Sequence, residues 1–474
     1  MNNKVKIIAT IGPKTASKVF LKKMHKAGMS VARLNGSHNN LEWHKETIKL
    51  IQRVLPNTPI LLDIPGKKIR TALLKHEPNF KISQEIILTS EPGYDGLEKV
   101  SLTNKVLHKY LTVGDIIFAD DGTLKFIVSK IEGKDIFCSA QINGTLKSSK
   151  GINVPHVNFG GELITERDKF MIKFAIANKV DLIGISFVES AKHVNKIRDL
   201  LKNTDIKIVS KVENRKGLDN LEGILTTTDV VMIDRGDLST ETDIESLAFN
   251  QKNIISRCVY HSKPVIVATE MMDSMIESPY PTKAEILDIS NSILDGATAT
   301  MLSGETAIGK FPVESINIMS NISLHAMKAR NLQILNNAEE PYNVMGKAIS
   351  SLCRSTLITK IIAITISGFA ARIISSQSIK QPIIAITNNE KLAKSFNIYS
   401  GTEGIYIKTK FYKDNQNHIP KCLYFLWNKN IIKSNDNILV VSLSFPGSGK
   451  RMNTLQTHQV RDLEKLFYWK KTKK

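Results

Sequence analysis

The stretch "DIKIVSKVENRKG", Asp205 to Gly217, decides how the chain is read. Ile206, Ile208 and Val209 are apolar and β-branched, the composition of a buried strand. The run then turns polar at Ser210, Lys211, Glu213 and Asn214. Strand side chains alternate between faces, so Lys211 and Glu213 point the same way. One explanation is an ion pair at a strand end. The other is a site in which Lys211 meets an anionic substrate and Glu213 holds a metal ion.

Seven further runs share this pattern, apolar first and polar or glycine-containing last: "KIIATIG", "SVARLNG", "PILLDIPG", "DLIGISF", "VVMIDRGD", "PVIVATEM" and "TATMLSGET". Helix-like stretches follow most of them. Repeated strand–helix alternation implies a parallel sheet. Eight units predict a closed (β/α)8 TIM barrel, whose polar strand ends gather at the C-terminal face. Lys211 and Glu213 then lie on that rim at the end of the fifth strand.

The alternation breaks after the third unit. Residues 69–156 are rich in strand-like runs such as "EIILTS" and "DIFCSAQING", with turn signals at Asp121-Gly122 and Asn143-Gly144. They predict a small inserted β-barrel domain placed as a lid. The barrel then comprises residues 1–68 and 157–335. "NNAEEPYN" reads as a linker, and 343–474 as a C-terminal α/β domain containing "IIAITIS", "PIIAIT" and "NILVVSLSF".

Composition narrows the class. The chain has 474 residues, too many for one core, and 42% hydrophobic content, which is ordinary for a soluble protein. Four scattered cysteines suggest a reducing compartment and no structural zinc. The N-terminal apolar run is too short for a signal peptide, and no run approaches a membrane span. A cytoplasmic protein without a membrane partner is expected. The net charge of +20 is spread along the chain and ends in "WKKTKK", with no aromatic-basic motif, so no nucleic-acid partner is expected. "FPGSGKRMN", Phe445 to Asn453, only superficially resembles a phosphate-binding P-loop, because the G-x-x-x-x-G-K-[ST] spacing is absent.

Other strand ends supply candidates. Asp237 follows the sixth strand, and the backbone N–H groups of Gly236 and Asp237 could bind a carboxylate or phosphate if a helix starts there. Asp237 reads equally well as a helix N-cap. Glu213 and Asp237 come from adjacent strands, so both could hold one Mg2+, an ion that favours few carboxylates plus substrate oxygens. Thr269 ends the seventh strand. Arg33, Asn35, Ser37 and His38 end the second, and Asp63, Lys68 and Arg70 the third.

Together these segments resemble pyruvate kinase over nearly the whole chain. The resemblance is carried by "TIGP", "SKVEN..GL", "RGDL", "MMDSMI", "PTKAE" and "ILDGATATMLSGETAIGKFP". It implies Mg2+-dependent phosphoryl transfer from phosphoenolpyruvate to ADP, giving pyruvate and ATP in glycolysis, by a homotetramer. It makes Lys211 the residue that stabilises the transferring group and Arg33 a phosphate binder. Glu213 and Asp237 become Mg2+ ligands, and Thr269, Gly236 and Asp237 the substrate-carboxylate site. It implies a nucleotide site at Arg70, Lys150 and His38, with Asn35 close by. It also implies a monovalent-cation site at Asn35, Ser37, Asp63 and the carbonyl of Ile64, and a proton relay at Ser303 and Glu305.

The chain departs from the family pattern at several positions. Lys68 stands where potassium-dependent members carry glutamate, so little K+ requirement is expected. Gly36 replaces a larger residue, Asp234 an alanine, Ser239 a glycine and Glu270 a glutamine. Asp234 and Glu270 add carboxylates near an anionic substrate and could weaken binding or change substrate preference. The effector loop reads "TISGFAAR", which keeps Thr365, Ser367 and Gly368 but loses other phosphate contacts, so activation by a sugar phosphate is not expected. Three other readings stand beside an active kinase: an impaired or specialised paralogue with a regulatory role, another Mg2+-dependent barrel lyase or aldolase acting on enolates, and a nucleic-acid binder driven by charge.

Overall fold

A computed structural model describes residues 4–120, 122–155, 157, 162–330, 341–412, 415–443 and 452–471. The P-loop-like segment, most of the "NNAEEPYN" linker, Asp121 and the last three lysine-rich positions lie largely or wholly outside them.

Eight parallel strands close into a barrel: β1 (Lys6–Thr10), β2 (Met29–Asn35), β3 (Ile60–Ile64), β4 (Leu182–Ile185), β5 (Lys207–Val212), β6 (Val230–Asp234), β7 (Val265–Ala268) and β8 (Ala299–Leu302). All eight expected runs form strands, in the expected order. β1 closes on β8 with Lys6 opposite Ala299.

Alternation sorts each strand's residues into two cores. Ile8, Val31, Leu61, Leu182, Val209, Met232, Ile266 and Met301 pack in the lumen. Ile7, Leu34, Leu62, Ile183, Ile208, Val231, Val267 and Leu302 pack against the surrounding helices. Two residues beyond each lumen residue comes a rim layer in the same phase: Thr10, Arg33, Asp63, Gly184, Lys211, Asp234, Ala268 and Ser303. Gly184 is small because its neighbour needs the space: a Cβ there would lie 1.7 Å from Asp63 Oδ1.

Between β3 and β4, strands from Ile69–Arg70 to Gly151–Asn153 build a seven-stranded sheet, with a two-stranded ribbon beside it. This insert has its own core around Leu88, Phe126 and Ile136. After the barrel, Thr402–Tyr406, Ile383–Thr387, Lys360–Ile364, Asn437–Ser442 and Thr454–Gln459 form a five-stranded sheet in that spatial order. The first four are parallel and the last is antiparallel. This sheet meets the lower end of the barrel, where Lys6 Nζ donates to the Thr402 carbonyl at 2.7 Å. Arg372 also donates to the Ser262 carbonyl at 2.5 Å.

Candidate active site

Lys211 is buried at the centre of the rim. Its ammonium lies 2.9 Å from Asp234 Oδ2, 3.1 Å from Glu213 Oε2 and 3.2 Å from Ser186 Oγ. Burial alone would lower its pKa, but the carboxylates of Asp234 and Glu213 outweigh it and raise it. Lys211 is therefore a fixed cation.

Glu213 is fully buried. Oε1 accepts from the Phe187 N–H at 2.8 Å, while Oε2 makes no aligned hydrogen bond beyond its ion pair with Lys211. Burial, then Asp234 and Asp237, push its carboxyl upward despite Lys211. Ligand oxygens of Glu213, Asp234 and Asp237 all lie within 4.8 Å of one another. Three buried carboxylates, one with an unsatisfied oxygen, form a hard-oxygen donor set with excess negative charge, which suits a divalent cation such as Mg2+. Lys68 reaches into the same group, its Nζ 2.5 Å from Asp237 Oδ1.

Asp237 belongs to the short helix Arg235–Glu241, which starts as β6 ends. It is not the N-cap, a position held by Asp234. The Gly236 N–H donates to Thr269 Oγ1 at 3.0 Å, and that hydroxyl lies 3.1 Å from Asp234 Oδ1. Thr269 and Glu270 both adopt left-handed backbone, φ 65° and 51°. Such a turn is unfavourable for non-glycine residues. Arg235 holds it by donating to the carbonyls of Thr269 and Glu270 at 2.7 and 2.6 Å. Ser239 donates to the Gly236 carbonyl at 2.9 Å, so its hydroxyl serves the local backbone.

On the opposite arc, Arg33 contacts Asp63 Oδ2 through Nε at 2.8 Å and through a terminal nitrogen at 2.7 Å, and donates to Thr10 Oγ1 at 3.1 Å. Asp63 Oδ1 has no hydrogen-bond partner. The Ile64 carbonyl accepts from Ser186 Oγ at 2.9 Å, and Asn35 Oδ1 from the Ser37 N–H at 3.1 Å. A side chain at Gly36 would put its Cβ 2.5 Å from the Asp63 carbonyl, which accounts for glycine here. His38 lies in the field of Arg70, Arg33, Lys150 and Lys68; burial first, then these cations, lower its pKa. Arg70 donates to the Ser149 carbonyl at 2.9 Å, and Lys150 pairs with Asp120 at 2.6 Å. Ser303 Oγ is buried without a partner, while the Glu305 carboxylate accepts from the Met272 and Ser303 N–H groups at 3.0 and 2.7 Å.

The structure adds residues that sequence reasoning missed. Ser186 touches both Lys211 and the Ile64 carbonyl. It is the polar residue ending the fourth run, a signal that was present. Asn153, from the insert, donates to Glu241 at 2.9 Å and lies 3.4 Å from Asp237. No local pattern marks that contact. Asp234 was read as a charge near the substrate, and it stands against Lys211 itself.

A closed β/α barrel with cations and carboxylates interleaved on one rim, an inserted β domain and a C-terminal α/β sheet defines a class of multidomain barrel enzyme. The sequence model described as pyruvate kinase, barrel domain, matches residues 2–316, and the one described as pyruvate kinase, alpha/beta domain, matches 344–458. The chain is 38% identical over 462 residues to pyruvate kinase of Clostridium perfringens, covering 94% of this chain and 97% of that protein. It is 35% identical over 477 residues to pyruvate kinase of Thermococcus litoralis, covering 97% and 99%. A crystal structure of a pyruvate kinase from Cryptosporidium parvum superimposes with a TM-score of 0.84 at 29% identity, covering 97% of this chain and 96% of that one. The chain belongs to the pyruvate kinase family, a family of phosphotransferases.

Proposed function

We propose that this chain transfers the phosphoryl group of phosphoenolpyruvate to ADP, giving pyruvate and ATP. The observation that carries this reading is the buried Lys211 ammonium, set among three carboxylates on the barrel rim. Phosphoryl transfer consists mainly of positioning and charge neutralisation, and a pre-placed cation costs no reorganisation during reaction.

In this reading Lys211 and Arg33 hold the phosphoryl group, while Thr269 with Gly236 and Asp237 receives the substrate carboxylate. Glu213 and Asp237 would hold Mg2+, which supplies charge neutralisation at the phosphate and enolate oxygens when bound. Arg70, Lys150 and His38, with Asn35 nearby, form the nucleotide side, where their positive field favours a polyphosphate. Ser303, with its unpartnered hydroxyl, delivers a proton to the enolate, and Glu305 fixes the turn that presents it. Asn35, Ser37, Asp63 and the Ile64 carbonyl would be the monovalent-cation site. Lys68 supplies that positive charge covalently, so catalysis needs little K+. The insert, bounded at about 69 and 156, acts as the lid, and the 343–474 domain completes a cytoplasmic homotetramer. No helix among the described residues is long and apolar enough to cross a membrane.

The Asp234 carboxylate beside Lys211 favours a second reading, an impaired paralogue, because it partly neutralises the phosphoryl-binding cation. Pyruvate release from phosphoenolpyruvate, ADP and Mg2+ decides between them. Turnover that Lys211→Met abolishes supports the kinase. No turnover with or without K+ supports the paralogue.

A further inference from the structure

We propose that Asp234 is a positioning residue that keeps Lys211 in place when Glu213 turns to a divalent cation. This rests on the reading that Glu213 and Asp237 hold that cation. An ammonium has three donors, and Lys211 has three polar neighbours: Asp234, Glu213 and Ser186. Of the two Glu213 oxygens, Oε1 already accepts the Phe187 N–H, so Oε2 is the one more readily given. The remaining Oε2 is the one beside Lys211. Lys211 and an incoming cation therefore compete for one atom.

Without Asp234, cation binding would leave the buried ammonium with a neutral hydroxyl as its near partner, an expensive state for a buried charge. With Asp234, the ammonium keeps an anionic partner at 2.9 Å whichever way Glu213 turns. Asp234 is held for this role. It follows Val230 and Met232 in lumen phase on β6, and its second oxygen lies 3.1 Å from Thr269 Oγ1, which also accepts the Gly236 N–H. Lys68 contacts Asp237, the other carboxylate assigned to the cation. Glu213 and Asp237 are thus each shared between a lysine and the cation, and Asp234 is the carboxylate left to Lys211.

The test is Mn2+ binding, measured by titration calorimetry on the full chain without substrate. It compares wild type, Asp234→Ala, Lys211→Met and the double variant, with thermal unfolding to show that each is folded. Removing one negative charge weakens Mn2+ binding in either background. The positioning role adds to this only where Lys211 is present. The expected result is a loss from Asp234→Ala at least fivefold larger with Lys211 than with Met at 211, the non-additivity that a double-mutant cycle isolates. Asp234→Asn, which keeps an acceptor for Lys211, should recover part of that excess. Equal losses in both backgrounds would overturn the proposal and make Asp234 a direct ligand or a remote charge. No loss in either would overturn it as well. Glu213→Gln separates the underlying reading: if it binds Mn2+ like wild type, the cation site is elsewhere and both fall.

Discussion

The Lys68 ammonium lies 2.5 Å from Asp237 Oδ1, a link between residues 169 positions apart in the chain. A side chain from the junction of barrel and insert thus places a permanent positive charge beside a carboxylate of the rim. Turnover should accordingly change less than twofold on adding K+. Lys68→Glu should lower turnover in K+-free buffer by about tenfold or more, as expected for losing one preorganised charge, and K+ should restore much of it. Rates across a K+ titration of both proteins check this. A wild-type rate that depends steeply on K+ would show that the tethered charge does not substitute for the ion.

Lys211→Met removes the central cation and leaves the three carboxylates around it without that charge. A loss of about 10³-fold in kcat is expected, at the upper end for one electrostatic group. Mn2+ affinity should not fall, because a competitor for Glu213 has gone. A variant that lost cation binding and turnover together would point to a collapsed site.

Gly184→Ala probes the rim from β4. The new Cβ would lie 1.7 Å from Asp63 Oδ1, so Asp63 must move and Arg33 loses its anchor. Asp63 and Arg33 are both buried, and the strand backbone cannot yield on either side. The expected result is a loss of about 100-fold in kcat/KM with a marked rise in KM for phosphoenolpyruvate, because misplaced positioning groups cost about two orders of magnitude. Steady-state kinetics with phosphoenolpyruvate varied would show it. Unchanged KM would mean that Arg33 does not depend on Asp63.

Stability should fall as acid is added, with His193 a main contributor. His193 is buried in the helix Ala191–Leu200, and its Nδ1 has no partner. Burial, with Lys67 and Lys196 adding to it, lowers its pKa from 6.5 to about 4. Above pH 6.5 the ring is neutral in both folded and unfolded chains. Between 6.5 and about 4 the unfolded chain takes up a proton that the folded one refuses, so stability drops as pH falls through that window. A shift of this size corresponds to at most ~3 kcal/mol. Denaturant unfolding at pH 7.0 and 4.5 should show a smaller acid loss for His193→Gln than for wild type.

The barrel was legible because its signal repeats. Eight runs are each apolar for one strand length and then polar, and closure needs nothing beyond that count and the right-handed connections between units. Lys211 and Glu213 were legible through alternation within one strand. The same alternation, counted from Val230 through Met232, puts Asp234 into the lumen phase beside Lys211, so its position was readable and was missed. Asn153 and Ser186 differ from each other. Ser186 had the signal of a polar residue at a strand end, whereas Asn153 meets Asp237 only because the insert folds back over the rim. Contacts between separately folded segments leave no periodic trace. The spare oxygens of Asp63 and Glu213 are equally invisible in a sequence, since they depend on which neighbours are already bonded.

The pairing of β1 with β8 also fixes an order of events during synthesis. Lys6 to Ala9 lie opposite Ala299 to Leu302, and Lys6 then donates to Thr402. A nascent chain emerging from the ribosome cannot seal the barrel until residue 302 is out, nor make the Lys6–Thr402 contact until 402 is. The insert, whose strands run from Ile69 to Asn153 around their own core, can fold long before that. For more than half of translation, β1 therefore has β2 as its barrel partner and an open edge on its other side, the kind of surface that aggregates or recruits chaperones. Truncation before residue 299 should leave the insert folded and the rest of the chain sticky.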